Sequence, residues 1–124
     1  VEAGFSGFQW LDGSFLEDIE ARENRQPKDL DVVTYFFPPD TAAYRAAIAK
    51  FPVLVDQPGI KREYLLDHYF VNMVYNPVAL VENFRYWSGL FSHRRDSVWK
   101  GMLRVELATP TDDQAAVDFL RRPA

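Results

Sequence analysis

The sequence has no cysteine, and that absence removes disulfides, thiolate zinc sites and cysteine nucleophiles together. It suits a reducing compartment, so a cytoplasmic protein is the expectation. No apolar run approaches the roughly 20 residues that a membrane span needs, and no signal-peptide pattern opens the chain. Histidine is scarce: His68 and His93 are the only two, too few and too far apart in sequence to argue for zinc. A Gly-rich phosphate loop and a Gly-x-Ser-x-Gly elbow are both missing, so neither a P-loop enzyme nor a typical serine hydrolase is supported. Positive charge is not in excess. The net charge of −4 argues against life on nucleic acid by nonspecific phosphate contact, although a local patch such as His93-Arg94-Arg95 can still hold a phosphate.

What the chain does contain is apolar and aromatic. Its 124 residues are 48% hydrophobic, with ten Phe, six Tyr and three Trp, enough for one domain spanning 1–124 with a real core. The chain opens on Val1, which raises the expectation that an upstream N-terminal element belongs to it. No internal repeat, low-complexity tract or linker stands out.

Residues 8–11 read as a short buried strand entering the turn signal Asp12-Gly13-Ser14. The charged stretch 17–28 reads as an exposed connection with a helical turn at most. Residues 30–37, β-branched and aromatic and stopped by Pro38-Pro39, read as a strand. Asp40-Thr41 caps an Ala-rich helix reaching about residue 50. Residues 51–61, with two prolines and a glycine, read as loop with a short extended piece. A third strand is expected over 64–75, a helix over 77–90 behind Asn76-Pro77, a fourth strand over 101–107, and a final helix over 111–121. Strands alternating with helices predict an α/β (α+β) domain, with a mixed sheet of about four strands in two layers. Phe84, Trp87 and Phe91, at helical spacing, read as core.

The chemistry centres on Asp29 and Asp31. Two positions apart on a strand, their side chains share a face, and adjacent carboxylates repel unless a cation sits between them. Mg2+ suits such a pair, because it takes hard oxygen ligands and commonly rests on one or two carboxylates plus substrate phosphates. The other acidic pair at this spacing, Asp18 and Glu20, lies in the polar stretch. The Asp29/Asp31 pair opens a strongly apolar strand, where charge is expensive without a purpose. Gly13-Ser14, a turn after a buried strand, is either a plain turn or a phosphate cradle of backbone N–H groups and a hydroxyl. Arg94, Arg95 and Lys100 are candidate contacts for a triphosphate or an acidic partner.

Trp10-Leu11-Asp12-Gly13-Ser14-Phe15, followed by Pro27-Lys28-Asp29-Leu30-Asp31-Val32-Val33, resembles the signature of the nucleotidyltransferase superfamily. That signature is a hydrophobic strand, Gly-Ser, a spacer, and Asp-hydrophobic-Asp on the next strand. The chain is similar to a bacterial family of small nucleotidyltransferase-like proteins, related in fold to the minimal enzymes of toxin–antitoxin and phage-defence loci. Trp87-Ser88-Gly89-Leu90-Phe91-Ser92, Arg95, and Lys100-Gly101 leading into a strand extend the resemblance. It implies a third carboxylate, for which Asp67 is the candidate. Asp29, Asp31 and Asp67 would then form a metal-binding carboxylate cluster, Asp29 and Asp31 holding two Mg2+ (or Mn2+) ions, and Asp67 would help activate an attacking hydroxyl. The implied reaction is in-line displacement at the α-phosphate of a nucleoside triphosphate, with pyrophosphate leaving. The spacer between Ser14 and Asp29 departs from the compact enzymes: it is longer, and its Glu17, Asp18, Glu20 and Glu23 are ill suited to a triphosphate site unless turned outward. A second expectation is therefore a catalytically silent module that acts through a protein partner, as an antitoxin or regulatory subunit does. A third is a domain of a larger protein.

Overall fold

The computed structural model describes residues 2–122. The elements run β1 (Ser6–Asp12), a 3-10 turn (Ser14–Glu17), α1 (Ile19–Glu23), β2 (Leu30–Phe37), α2 (Thr41–Lys50), a second 3-10 turn (Pro52–Val55), α3 (Gln57–Tyr64), β3 (Leu66–Asn72), α4 (Pro77–Phe91), β4 (Leu103–Glu106) and α5 (Pro110–Leu120). The sheet is mixed and four-stranded, in the order β3-β2-β1-β4. β1 is antiparallel to both neighbours, and β2 and β3 run parallel. This is the α/β architecture expected from the sequence, a mixed sheet with helices packed on it.

Helices occupy both faces of the sheet rather than one. Tyr35 and Phe36 are successive residues of β2, so their side chains leave on opposite sides. On one side Tyr35 and Val33 pack with Val71 of β3 and with Trp87 and Phe91 of α4. On the other, Phe36 packs with Phe5 and with Tyr44 and Ala47 of α2. The centre of β2 is buried on both faces because two apolar layers close on it, which is why residues 32–36 read as an unbroken run. Phe84 differs from its neighbours in α4. It stays 54% exposed and lays its ring against Trp10, centroids 5.5 Å apart, at the rim of the core.

Caps fix the helix starts. Asp40 accepts from the Ala43 N–H at 2.7 Å, and Asn76 accepts from both Val78 and Ala79. The stretch expected as loop holds α3, capped by Asp56 accepting from the Gly59 N–H, with Pro58 in its first turn, where a missing N–H is no loss. β3 is shorter than expected at both ends. Leu65 adopts a left-handed conformation that closes α3, and Asn72 turns the chain by accepting from the Val74 N–H. α5 lies apart: every residue of it is exposed.

Candidate active-site cleft

Strand register brings together residues far apart in sequence. Asp12 ends β1 opposite Asp31 of β2, and Asp31 in turn stands beside Asp67 of β3. Directly paired residues share a face, so the three aspartates form a row across three strands on the side of α4. Asp29 stands two residues before Asp31.

Two lysines serve the ends of this row. Lys61 of α3 places its ammonium 3.0 Å from Asp29 Oδ2 and 2.6 Å from Asp67 Oδ2. Lys100, just before β4, lies 2.8 Å from Asp12 Oδ1 and 3.0 Å from Glu17 Oε1. The Asp12 contact is an ion pair off the hydrogen-bond direction, since that oxygen has no hydrogen-bonding partner among the described residues. Asp31, in the middle, has no cation within ion-pair distance among the described residues.

The protonation equilibria follow this geometry. Burial pushes the Asp31 carboxyl up, and repulsion from Asp29, Asp67 and Asp12 adds to it. Burial also raises Asp12, against the pull of Lys100. For Lys100 burial acts downward, but its contacts with the Asp12 and Glu17 carboxylates outweigh it and hold the ammonium charged. Burial likewise opposes ionisation of Glu17, while Lys100 and Arg22 outweigh it and draw the carboxyl below its ordinary range. Lys61 is raised by its bonds to Asp67 and Asp29.

The row opens on a cleft of about 700 Å³. Gly13 and Ser14 form one lip, and His93 to Asp96 with Lys100 form another part of the rim. Gly13 has φ 117° and ψ 179°, a conformation essentially reserved for glycine. A Cβ at that position would also stand 3.2 Å from Asp31 Oδ2, so glycine lets the lip close on the aspartate. That part of the rim belongs to a short hairpin in which the His93 ring lies against Trp99, with centroids 3.9 Å apart. Arg94 is bonded to Asp96, whereas Arg95 and Lys28 line the cleft with no carboxylate in ion-pair distance among the described residues. Tyr69, Tyr86 and the edge of Trp87 supply an aromatic wall.

Of the residues singled out in the sequence, Gly13, Ser14, Asp29, Asp31, Arg95 and Lys100 all line this cleft. Asp67 joins the row but is not part of the lining; its carboxylate turns to Lys61. Glu17 turns inward rather than outward, and Lys100 and Arg22 neutralise it there. Asp12 and Lys61 carry site roles that the sequence reading did not assign. For Asp12 a signal existed: Phe8, Trp10 and Asp12 alternate on one face of β1. Lys61 has none, because Pro58 and Gly59 give the helix that aims it the local look of a loop. His68 lies on the opposite face of the sheet, as alternation from Asp67 requires.

Residues 1–106 match a protein family of unknown function. The chain belongs to that family, DUF6932. The matched region contains the aspartate row, both lysines and both parts of the rim, and stops before α5. No curated protein and no solved structure matches the chain.

Metal ligation can be judged from the donor set. Among the described residues, no three carboxylate or imidazole groups converge on one point. A site of only two carboxylates leaves most positions of a divalent ion to water or phosphate, a mode of binding that Mg2+ commonly uses. No helix among the described residues is long and apolar enough to cross a membrane.

Proposed function

We propose that this chain binds a nucleoside triphosphate with Mg2+ (or Mn2+) in the cleft and transfers its nucleotidyl group to a hydroxyl acceptor. One observation carries the reading. Asp31 is half-buried, repelled by three other aspartates, and left without a cation while lysines serve both ends of its row. A carboxylate so placed is stabilised by a bound cation. Asp29 and Asp31 would hold the metal, which when bound supplies charge neutralisation at the phosphates. Arg95 and Lys28, uncommitted on the cleft wall, bind phosphate oxygens, and the Ser14 hydroxyl orients them. Tyr69 and Tyr86 receive the flat face of the base. Lys100 holds Asp12 and Glu17 in place rather than serving the triphosphate directly. Asp67 can accept a proton from the acceptor only when Lys61 releases it. The cytoplasm, which supplies the nucleotide and the metal, is the compartment this reading requires.

A second reading rests on the same lysines. Lys61 and Lys100 already neutralise both ends of the row, which favours a catalytically silent module acting through a protein partner, as an antitoxin or regulatory subunit does.

Calorimetric titration of MgATP and MgGTP into the wild type and Asp31→Asn separates the two. Binding that requires the metal and disappears in the variant supports the transferase. Absence of binding to the folded wild type favours the silent module.

A further inference from the structure

The nucleotidyltransferase resemblance implies two metal ions, but the third carboxylate of the row is not free to receive one. Asp67 is turned to Lys61, whose ammonium stands 2.6 Å from Asp67 Oδ2 and 3.0 Å from Asp29 Oδ2. A second ion shared by Asp29 and Asp67 would need that same place between the two carboxylates. Asp67 does not line the cleft, and among the described residues no three acidic or imidazole groups converge. The row therefore fits one divalent ion and does not fit two.

The backbone holds Lys61 where it is. Lys61 stands in the last turn of α3, six residues before Asp67, so one short connection carries both partners. Its carbonyl accepts from the Leu65 N–H at 3.1 Å, which closes the helix. The Leu65 carbonyl in turn accepts at 3.0 Å from the N–H of Leu30, the residue between Asp29 and Asp31. Two backbone bonds thus tie Lys61 to the strand that bears the other carboxylates. The charges agree with this placement. Against one ammonium, Asp29, Asp31 and Asp67 keep two uncompensated negative charges when ionised, which one divalent ion balances. Lys100 and Arg22 separately match Asp12 and Glu17, so that group adds nothing to the count.

We infer that Lys61 is a resident substitute for the second metal ion, so that the cleft takes one divalent ion per nucleotide, on Asp29 and Asp31. The inference rests on the nucleotide reading proposed above and specifies its metal count. An ammonium supplies positive charge and hydrogen bonds but coordinates no oxygen, so Lys61 acts electrostatically. Asp67 then holds Lys61 in place and is not the base for the acceptor.

Equilibrium dialysis of Mn2+ against wild type and Lys61→Met tests this. It is run with α,β-methylene-ATP, which has no cleavable bond between its α- and β-phosphorus atoms. The wild type is expected to bind one ion per chain, with the electron paramagnetic resonance spectrum of an isolated ion. Lys61→Met is expected to bind two, spin-coupled because two-metal sites hold their ions about 3.5–4 Å apart. Lys61→Met/Asp67→Asn should return the count to one. In the wild type saturated with Mg2+ and the analogue, the nitrogen resonance of the Lys61 ammonium should persist by NMR, protected by its two carboxylates. Two ions in the wild type, one ion in Lys61→Met, or loss of that resonance overturns the inference and leaves the nucleotide reading standing. No ion bound by the folded wild type overturns the nucleotide reading and the inference with it. If Lys61→Met does not fold, the wild-type count and the ammonium resonance decide alone.

Discussion

Neutralising Asp31 removes a half-buried charge that Asp29, Asp67 and Asp12 repel. Asp31→Asn is therefore expected to raise stability by about 0.5–1 kcal/mol without metal, the size of a cross-strand like-charge penalty, while abolishing Mg2+-dependent nucleotide binding. Chemical denaturation in EDTA and calorimetry check the two halves. The pH dependence has a definite sign. Asp31 and Asp12 are raised above 3.8, so the stability they contribute is present below that pH and is lost as pH rises through their folded-state values. His68 works the other way. Its pKa falls from 6.5 to about 4, so its contribution is complete above pH 6.5 and is lost as pH falls toward 4. The loss amounts to ~3 kcal/mol, since each pKa unit is about 1.4 kcal/mol. Urea midpoints between pH 7.5 and 4.5 should fall in the wild type, and His68→Leu should flatten the curve over that range.

At the scale of elements, α3 matters most, because it delivers Lys61 to Asp29 and Asp67. Lys61→Met is expected to lower the melting temperature in EDTA and to make Mg2+ restore it. A variant whose melting ignores Mg2+ would instead favour the silent module. The lip depends on glycine in the same direct way. Gly13→Ala forces a side chain into a positive-φ conformation and against Asp31, and is expected to cost about 1–3 kcal/mol, measurable by urea unfolding. These two elements differ in how far the sequence announced them. β2 and α2 were legible to the residue, because Pro38-Pro39 stops one and Asp40 caps the other. α3 was not: Pro58 and Gly59 in its first turn look like loop chemistry, and the Asp56 cap is visible only once the helix is known. Asp29 and Asp31 could be placed on one face by alternation alone. Their alignment with Asp12 and Asp67 is a matter of strand register, which joins β1 to β2 across a connection of 17 residues and β2 to β3 across α2 and α3, and no local pattern encodes it.

At the scale of the whole molecule, the region that matches the family and the region that packs nearly coincide. α5 follows the matched residues, and its Phe119 and Leu120 remain 69% and 79% exposed. Removing residues 110–124 is expected to move the melting temperature by no more than about 1 °C and to leave nucleotide binding intact, a result that calorimetry and a thermal melt can check. The cleft has a further consequence for how the protein can be watched. Trp87 is only 7% exposed and packed among Tyr69, Tyr86 and Phe91, yet it lines the cleft, while Trp99 stands 75% exposed, bridged to His93 beside the rim. Of the chain's three indoles, Trp87 and the partly buried Trp10 thus sit in apolar settings and Trp99 in water. The ultraviolet emission of the unlabelled chain should contain a blue component that reports the core together with the cleft and a red one that reports the rim, so occupancy and unfolding can be distinguished by colour in a single cuvette.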